Sequence, residues 1–292
     1  MPKLASVCRR LASGAGALTV ISVSAPAQSV NYIGGLQYAS GDFIFTERTW
    51  SAYLSNGLSW STGLLRASAS IPLVMQSSGW LQYSGAGMMV PSGGISGSRS
   101  GGDSGMETMR SGMHLGSMTP SKGMPFSRVG VGDPIGRIEV AVLRTAGERA
   151  AVKLVGATKA PLADVGRGFG TGEWDIGTGA SGLLRIRGAT VLAEAMYWKL
   201  GRPPGTALRN AMAYALSIGR PLSRSRWSVL AGVSGASSLW DVLIGPAQAG
   251  LGFGYRLESG GTVFATAAAG LTRTAPAIST GLGWRLPIGK ER

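Results

Sequence analysis

Hydrophobic and polar positions alternate with a period of two along most of this chain. Between Gln248 and Leu257, one side carries Ala249, Leu251, Phe253, Tyr255 and Leu257, and the other Gln248, Gly250, Gly252, Gly254 and Arg256. Ala277 to Leu286 repeats the scheme, with Ile278, Thr280, Leu282, Trp284 and Leu286 against Ser279, Gly281, Gly283 and Arg285. Leu65, Ala67, Ala69, Ile71 and Leu73 likewise oppose Arg66, Ser68, Ser70 and Pro72, and Ile138, Val140 and Val142 oppose Arg137, Glu139 and Ala141. On a helix these sets would spread around the whole cylinder, whereas on a strand each set occupies one face. Turn residues divide the chain into twelve predicted strands, 29–39, 48–60, 64–76, 134–145, 150–162, 173–184, 189–200, 210–221, 227–239, 247–257, 262–273 and 276–287. Most run well beyond the usual 5–6 residues of a soluble strand.

The polar faces are built from Gly, Ser and Ala with scattered charges, not from the Lys, Glu and Thr of a water-facing sheet. Aromatic residues gather near strand ends on the apolar faces: Trp50, Trp60, Tyr255 and Trp284. Trp50 and Trp60 share one face of one strand. At about 3.3 Å per residue and a tilt near 40°, they stand roughly 25 Å apart along a membrane normal, the height of an apolar band between two aromatic girdles. An open sheet edge in lipid leaves backbone groups unpaired at several kcal/mol each, so the sheet must close. An even strand number puts both termini of the chain on the periplasmic side. The expectation is an all-β, transmembrane, antiparallel up-and-down barrel of about twelve strands over residues 28–292, with one long Gly/Ser/Met-rich outer loop at 77–133.

Residues 1–27 read as an export signal. Lys3, Arg9 and Arg10 form a basic start, Leu11 to Ser24 is small and apolar, and Ala25-Pro26-Ala27 offers a cleavage pattern. Its removal takes away the single cysteine, Cys8. Composition then narrows the function. Glycine occupies 47 positions without a three-residue period, which excludes collagen, and 44% hydrophobic content excludes a disordered basic chain. With one histidine and one cysteine there is little material for a histidine triad or a metal cluster. The chain is therefore read as a non-enzyme, with no catalytic residue, cofactor or metal assigned. The net charge of +14 places Arg144, Arg149, Arg185, Arg187, Arg220, Arg224, Arg226, Lys290 and Arg292 at or near inner turns and the C-terminus. There they would meet anionic lipid headgroups. An exported chain has no reason to meet nucleic acid.

Residues 155–175 read Val-Gly-Ala-Thr-Lys-Ala-Pro-Leu-Ala-Asp, then Gly-Phe-Gly-Thr-Gly-Glu-Trp-Asp, and are joined by Leu36-Gln37-Tyr38-Ala39-Ser40-Gly41-Asp42 and Val131-Gly132-Asp133. In these motifs the chain resembles the outer-membrane transporter family of the MetA pathway of phenol degradation, over about residues 30 to 286. The Lys159–Asp175 block is the specific part. The resemblance implies an outer-membrane barrel passing small, hydrophobic compounds. Its partners would be outer-membrane lipids, the barrel assembly machinery and an unidentified solute. The sequence departs from the family in its longer loop at 77–133 and in its end, Gly289-Lys290-Glu291-Arg292, where an aromatic residue is usual.

By alternation, Arg66, Arg137, Glu139, Lys153, Lys159, Asp175, Glu194, Arg256 and Arg285 point inward. Fixed charges in a narrow pore select solutes by sign. Six basic residues against three acidic ones favour anions, unless the charges pair within a filled barrel. Loop 77–133 holds Met88, Met89, Met106, Met109, Met113, Met118, Met124 and His114. A mobile loop is its plainest reading and a lid over the mouth the next; a soft-metal site is not assigned. Pro161 and the glycines of 163–172 read as turn chemistry. The expected function is passive diffusion of small hydrophobic or anionic solutes through a porin-like barrel of the Gram-negative outer membrane. A non-conducting structural or adhesive barrel displaying its loop stays open as an alternative, as does, further off, a soluble exported β protein.

Overall fold

The computed structural model describes residues 28–42, 48–77, 81–83, 89–91, 129–145, 147, 149–165, 169–202, 208–222, 226–239 and 244–289. The expected signal 1–27, His114, every loop methionine except Met89, Arg224, Lys290 and Arg292 lie outside the described residues. The chain runs through β1 (Ser29–Gly41), β2 (Thr49–Ser61), β3 (Leu65–Gln76), β4 (Leu81–Tyr83), β5 (Met89–Pro91) and β6 (Val129–Val131). It continues with β7 (Ile135–Arg144), β8 (Ala150–Lys159), β9 (Asp175–Ile186), β10 (Ala189–Lys199) and β11 (Ala211–Pro221). The last four are β12 (Trp227–Ala236), β13 (Ala247–Arg256), β14 (Thr262–Gly270) and β15 (Ile278–Ile288). Each long strand pairs antiparallel with the next, and β1 pairs with β15 from Val30–Ile288 to Ser40–Ile278, so the sheet closes. The result is the expected twelve-stranded up-and-down barrel.

Three departures from the expected elements have local causes. β8 stops at Lys159 because Pro161 follows and offers no N–H to the ladder. β6, which alternation did not reveal, continues the line of β7 along β3, pairing Val129–Val131 with Leu73–Met75. The two are separated at Gly132-Asp133-Pro134, where the Gly132 N–H donates to the Pro72 carbonyl at 2.8 Å. β7 also carries a bulge between Ala141 and Leu143, so Leu143 pairs with Val152 and Arg144 with Ala151. β4 and β5 form a separate small hairpin.

Connections are short at one end of the barrel and longer at the other, and we call the short-turn end inner. The β9–β10 turn is two residues, Arg187 and Gly188, both at positive φ (49° and 83°), the form whose twist matches a hairpin. The outward face is apolar: Leu58, Ile71, Ile138, Leu154, Leu216, Leu251, Phe253 and Leu282 are each more than half exposed. A continuous surface of this kind is a lipid-facing band, since in water it would far exceed the patches that soluble proteins tolerate. Trp50 stacks against Tyr38 near the outer end (6.3 Å between ring centres). Toward the inner end, Tyr255 meets Trp227 (4.8 Å), Trp284 meets Tyr32 (6.4 Å), and Trp60 lies on the outward side of β2.

A charge on this face should be penalised by depth. Leu251→Arg, mid-strand, is expected to destabilise the barrel by about 2–4 kcal/mol, and Ile288→Arg at the inner end by about 0–1 kcal/mol. Equilibrium unfolding from lipid vesicles measures both; equal costs would show that this face does not sit in a bilayer.

Candidate functional site

The interior divides into a charged inner half and a packed outer half. In the inner half, Arg137 on β7 presents a fork to Glu194 on β10, pairing through Nη1 to Oε1 at 3.1 Å and through Nη2 to Oε2. Its Nε donates to Glu139 Oε1 at 2.9 Å, and Lys153 on β8 donates to the other oxygen, Oε2, at 2.8 Å. Both inward carboxylates of this half are thus engaged by Arg137 and Lys153. Around them stand Arg66, Arg144, Arg256 and Arg285, whose guanidinium groups have no hydrogen bond or ion pair among the described residues. Arg256 and Arg285 both flank Thr262, one on either side, so their backbones lie about 10 Å apart on one inward row. A chamber of about 200 Å³ opens here, lined by Arg66, Glu139, Arg144, Lys153 and the turn 61–65.

In the outer half, the charges are buried and paired. Lys159 (1% exposed) ends β8 and donates to Asp133 Oδ2 at 2.7 Å and Thr171 Oγ1 at 2.9 Å, with Asp175 Oδ2 at 3.4 Å. The second oxygens are also used: Asp133 Oδ1 accepts from the Ala163 N–H at 2.9 Å and Asp175 Oδ1 from the Gly201 N–H at 3.0 Å. Gly170 is where the β8–β9 loop passes over this cluster, and a Cβ there would sit 2.8 Å from both Asp133 oxygens. Two of the stretches that carried the family resemblance, 131–133 and 155–175, therefore meet at one point: Asp133, Lys159 and Asp175 form a single ion cluster that holds the β8–β9 loop down.

That loop turns into the barrel mouth. Phe169 packs with Ala39, Tyr53 and Val74 from β1, β2 and β3, and its ring lies against Gly130 of β6. Leu239, from the β12–β13 loop, joins Val155, Met196, Trp198, Leu200 and Ala211 in a second apolar cluster. The Trp198 indole lies over Gly177, and its Nε1 has no hydrogen-bond partner among the described residues. Beside the first cluster, a slot of about 30 Å³ is lined by uncharged groups that include Gln37, Tyr53, Ser234, Gln248 and Ser279.

The inward set named from the sequence is thus split by the structure. Arg66, Glu139 and Lys153 line the inner chamber, Arg137 and Glu194 join the network through Glu139, and Arg256 and Arg285 stand on the same inner half, while Lys159 and Asp175 lie buried in the rim cluster. Trp50, Trp60, Tyr255 and Trp284 all face outward. Arg144 is where sequence reasoning missed: strict alternation with Ile138, Val140 and Val142 turns it away from the lumen, but the bulge in β7 reverses the register and points it into the chamber. Phe264 was also missed; it faces inward over Gly283 and stays nearly half exposed to the lumen. Its apolar character in a segment rich in Ala left no signal of side.

No family model matches the chain, and no curated protein matches it. Among solved structures it is similar to an outer membrane channel from Pseudomonas putida F1, with 9% identity, a TM-score of 0.56, and 90% of this chain and 96% of that one covered. It also aligns with the NanC porin (8% identity, TM-score 0.48, 89% and 100% covered) and the CymD monoaromatic hydrocarbon channel (12%, 0.44, 92% and 90%). The first likeness bears on the fold alone, and the fold is that of an outer-membrane β-barrel.

Removing the cation from the rim cluster leaves two carboxylates in a dry site. Lys159→Met is expected to cost about 3–5 kcal/mol of barrel stability, and adding Asp133→Asn and Asp175→Asn should restore most of it. Urea midpoints of the vesicle-embedded protein report both; a loss below about 1 kcal/mol in the single variant would deny the cluster its holding role.

Proposed function

We propose that the protein is a passive outer-membrane channel for small solutes with a preference for anions, related in kind to the transporter family its motifs resemble. The observation that carries this reading is the charge balance of the inner chamber. Arg137 and Lys153 occupy both inward carboxylates, and Arg66 and Arg144 on the chamber wall, with Arg256 and Arg285 on the same inner half, are left without an ion pair among the described residues. Fixed charge of one sign in a confined path raises the local concentration of the opposite ion. The outer half supplies the resistance: a solute leaving the chamber meets the uncharged slot and the two apolar clusters beneath loops 160–174 and 237–246. We include the location in the proposal, because a closed barrel with an apolar girdled exterior and short turns at one end suits an outer membrane.

The packing of Phe169 and Leu239 in the mouth favours a second reading, a barrel that does not conduct and serves to display its outer loops. Single-channel recording in a planar bilayer separates the two. Under a salt gradient the reversal potential should take the sign of anion preference, and Phe169→Ala should raise the conductance of each step. A cation-selective potential would overturn the anion reading. Silence from folded barrel, in both the parent and Phe169→Ala, would leave the display reading in place.

A further inference from the structure

We propose that the inner chamber is a discrete, saturable site for one small oxyanion, a carboxylate or phosphate, held between the guanidinium groups of Arg66 and Arg144. The proposal deepens the channel reading above and depends on it only for the chamber being open to water.

Four observations converge on these two residues. Both line the same chamber of about 200 Å³, together with Glu139, Lys153 and the turn 61–65. Neither guanidinium has a hydrogen bond or an ion pair among the described residues, while the one carboxylate in the chamber, Glu139, has both oxygens taken by Arg137 and Lys153. The wall therefore presents unused guanidinium donors with no free carboxylate among the lining residues. Arg144 points into the chamber only because of the bulge between Ala141 and Leu143. Bulges re-aim side chains at functional positions, and this one adds a charge where like charge already stands. Arg285, on the inward face of β15 near its inner end, adds a further like charge to the same half of the lumen. Folding alone does not explain gathering cations there, whereas an incoming anion offsets all of them at once.

Chemistry and size narrow the occupant. A guanidinium offers paired N–H donors whose spacing fits two oxygens of a carboxylate or phosphate, and such charge-assisted bonds are the strong ones. Chloride can satisfy the field but not the paired geometry. The chamber exceeds the ~150 Å³ cavity that admits benzene in an engineered core, so acids up to about that size fit whole.

The test measures binding without requiring conduction. The detergent-extracted protein is titrated calorimetrically with inorganic phosphate and with benzoate, and with chloride at matched ionic strength. Saturable one-site binding of either oxyanion, with chloride showing none, is the expected result. Arg66→Gln and Arg144→Gln should each weaken it about tenfold or more, while Arg220→Gln, on the outward face of the inner rim, leaves it unchanged. Both chamber variants relieve repulsion, so they should fold at least as well as the parent; the thermal midpoint verifies this. Anion-selective conduction without saturable binding would overturn the site and leave the channel standing. Saturable binding by a barrel that stays silent in bilayers would uphold the site and remove the channel. An equal response to chloride, or full binding in both chamber variants, would also reject it.

Discussion

Pairing of the backbone governs this molecule. In a hydrocarbon layer no water is present to bond a free N–H or C=O, so a sheet can cross only if its first strand finds its last. Here β1 and β15 meet along eleven residue pairs, from Val30–Ile288 to Ser40–Ile278. Closure forces every strand to divide its side chains between lipid and lumen, and so produces the alternation of Leu251, Phe253 and Tyr255 with Gly250, Gly252 and Gly254. At membrane depth it also confines charge to the interior, so residues such as Arg137 and Glu194 meet across the wall of strands that separates them.

Inside, the two halves obey opposite electrostatic rules. Near the outer rim, Lys159, Asp133 and Asp175 are almost wholly removed from water, and each is met by a counter-charge and a further hydrogen bond. Buried ions persist only under such terms. That requirement explains why loop 160–174 folds inward: Thr171 and the Ala163 N–H are partners the cluster needs, and bringing them in carries Phe169 across to β1, β2 and β3. The mouth is narrowed as a consequence of satisfying buried charge.

Much of this was legible in the sequence because a period of two is a strong local signal and the lipid face must be apolar at every outward position. The twelve strands emerged from it with ends mostly within two residues of those observed. Pieces of the rim cluster were also legible, as Val131-Gly132-Asp133, Lys159 and Asp175, but only as separate motifs. Their meeting is set by strand order, which places the starts of β7 and β9 beside the end of β8. Two kinds of feature escaped. A bulge inserts one residue without altering composition, so the reversal of Arg144 left no trace in the alternation. Short pairings such as β6 with β3 involve three residues and fall below any periodic signal.

The placement of unpaired charge also marks where water stands in the barrel. A guanidinium with no counter-ion cannot stay in a dry interior, because its desolvation would go uncompensated. Arg66, Arg144, Arg256 and Arg285 have no ion pair among the described residues, so the inner half around them must be hydrated. The outer half shows the converse in Trp198, whose indole N–H is buried among Val155, Met196 and Leu200 with no partner among the described residues, a cost of a few kcal/mol at most that a neutral donor can bear and an ion cannot. The boundary between hydrated and dry interior therefore falls between the Arg137–Glu139–Lys153 network and the Val155–Met196–Trp198 cluster. On β8 the two are only two residues apart, at Lys153 and Val155. A solute crossing this barrel changes solvent at that level, and the charges stand on the side where an anion still keeps its water.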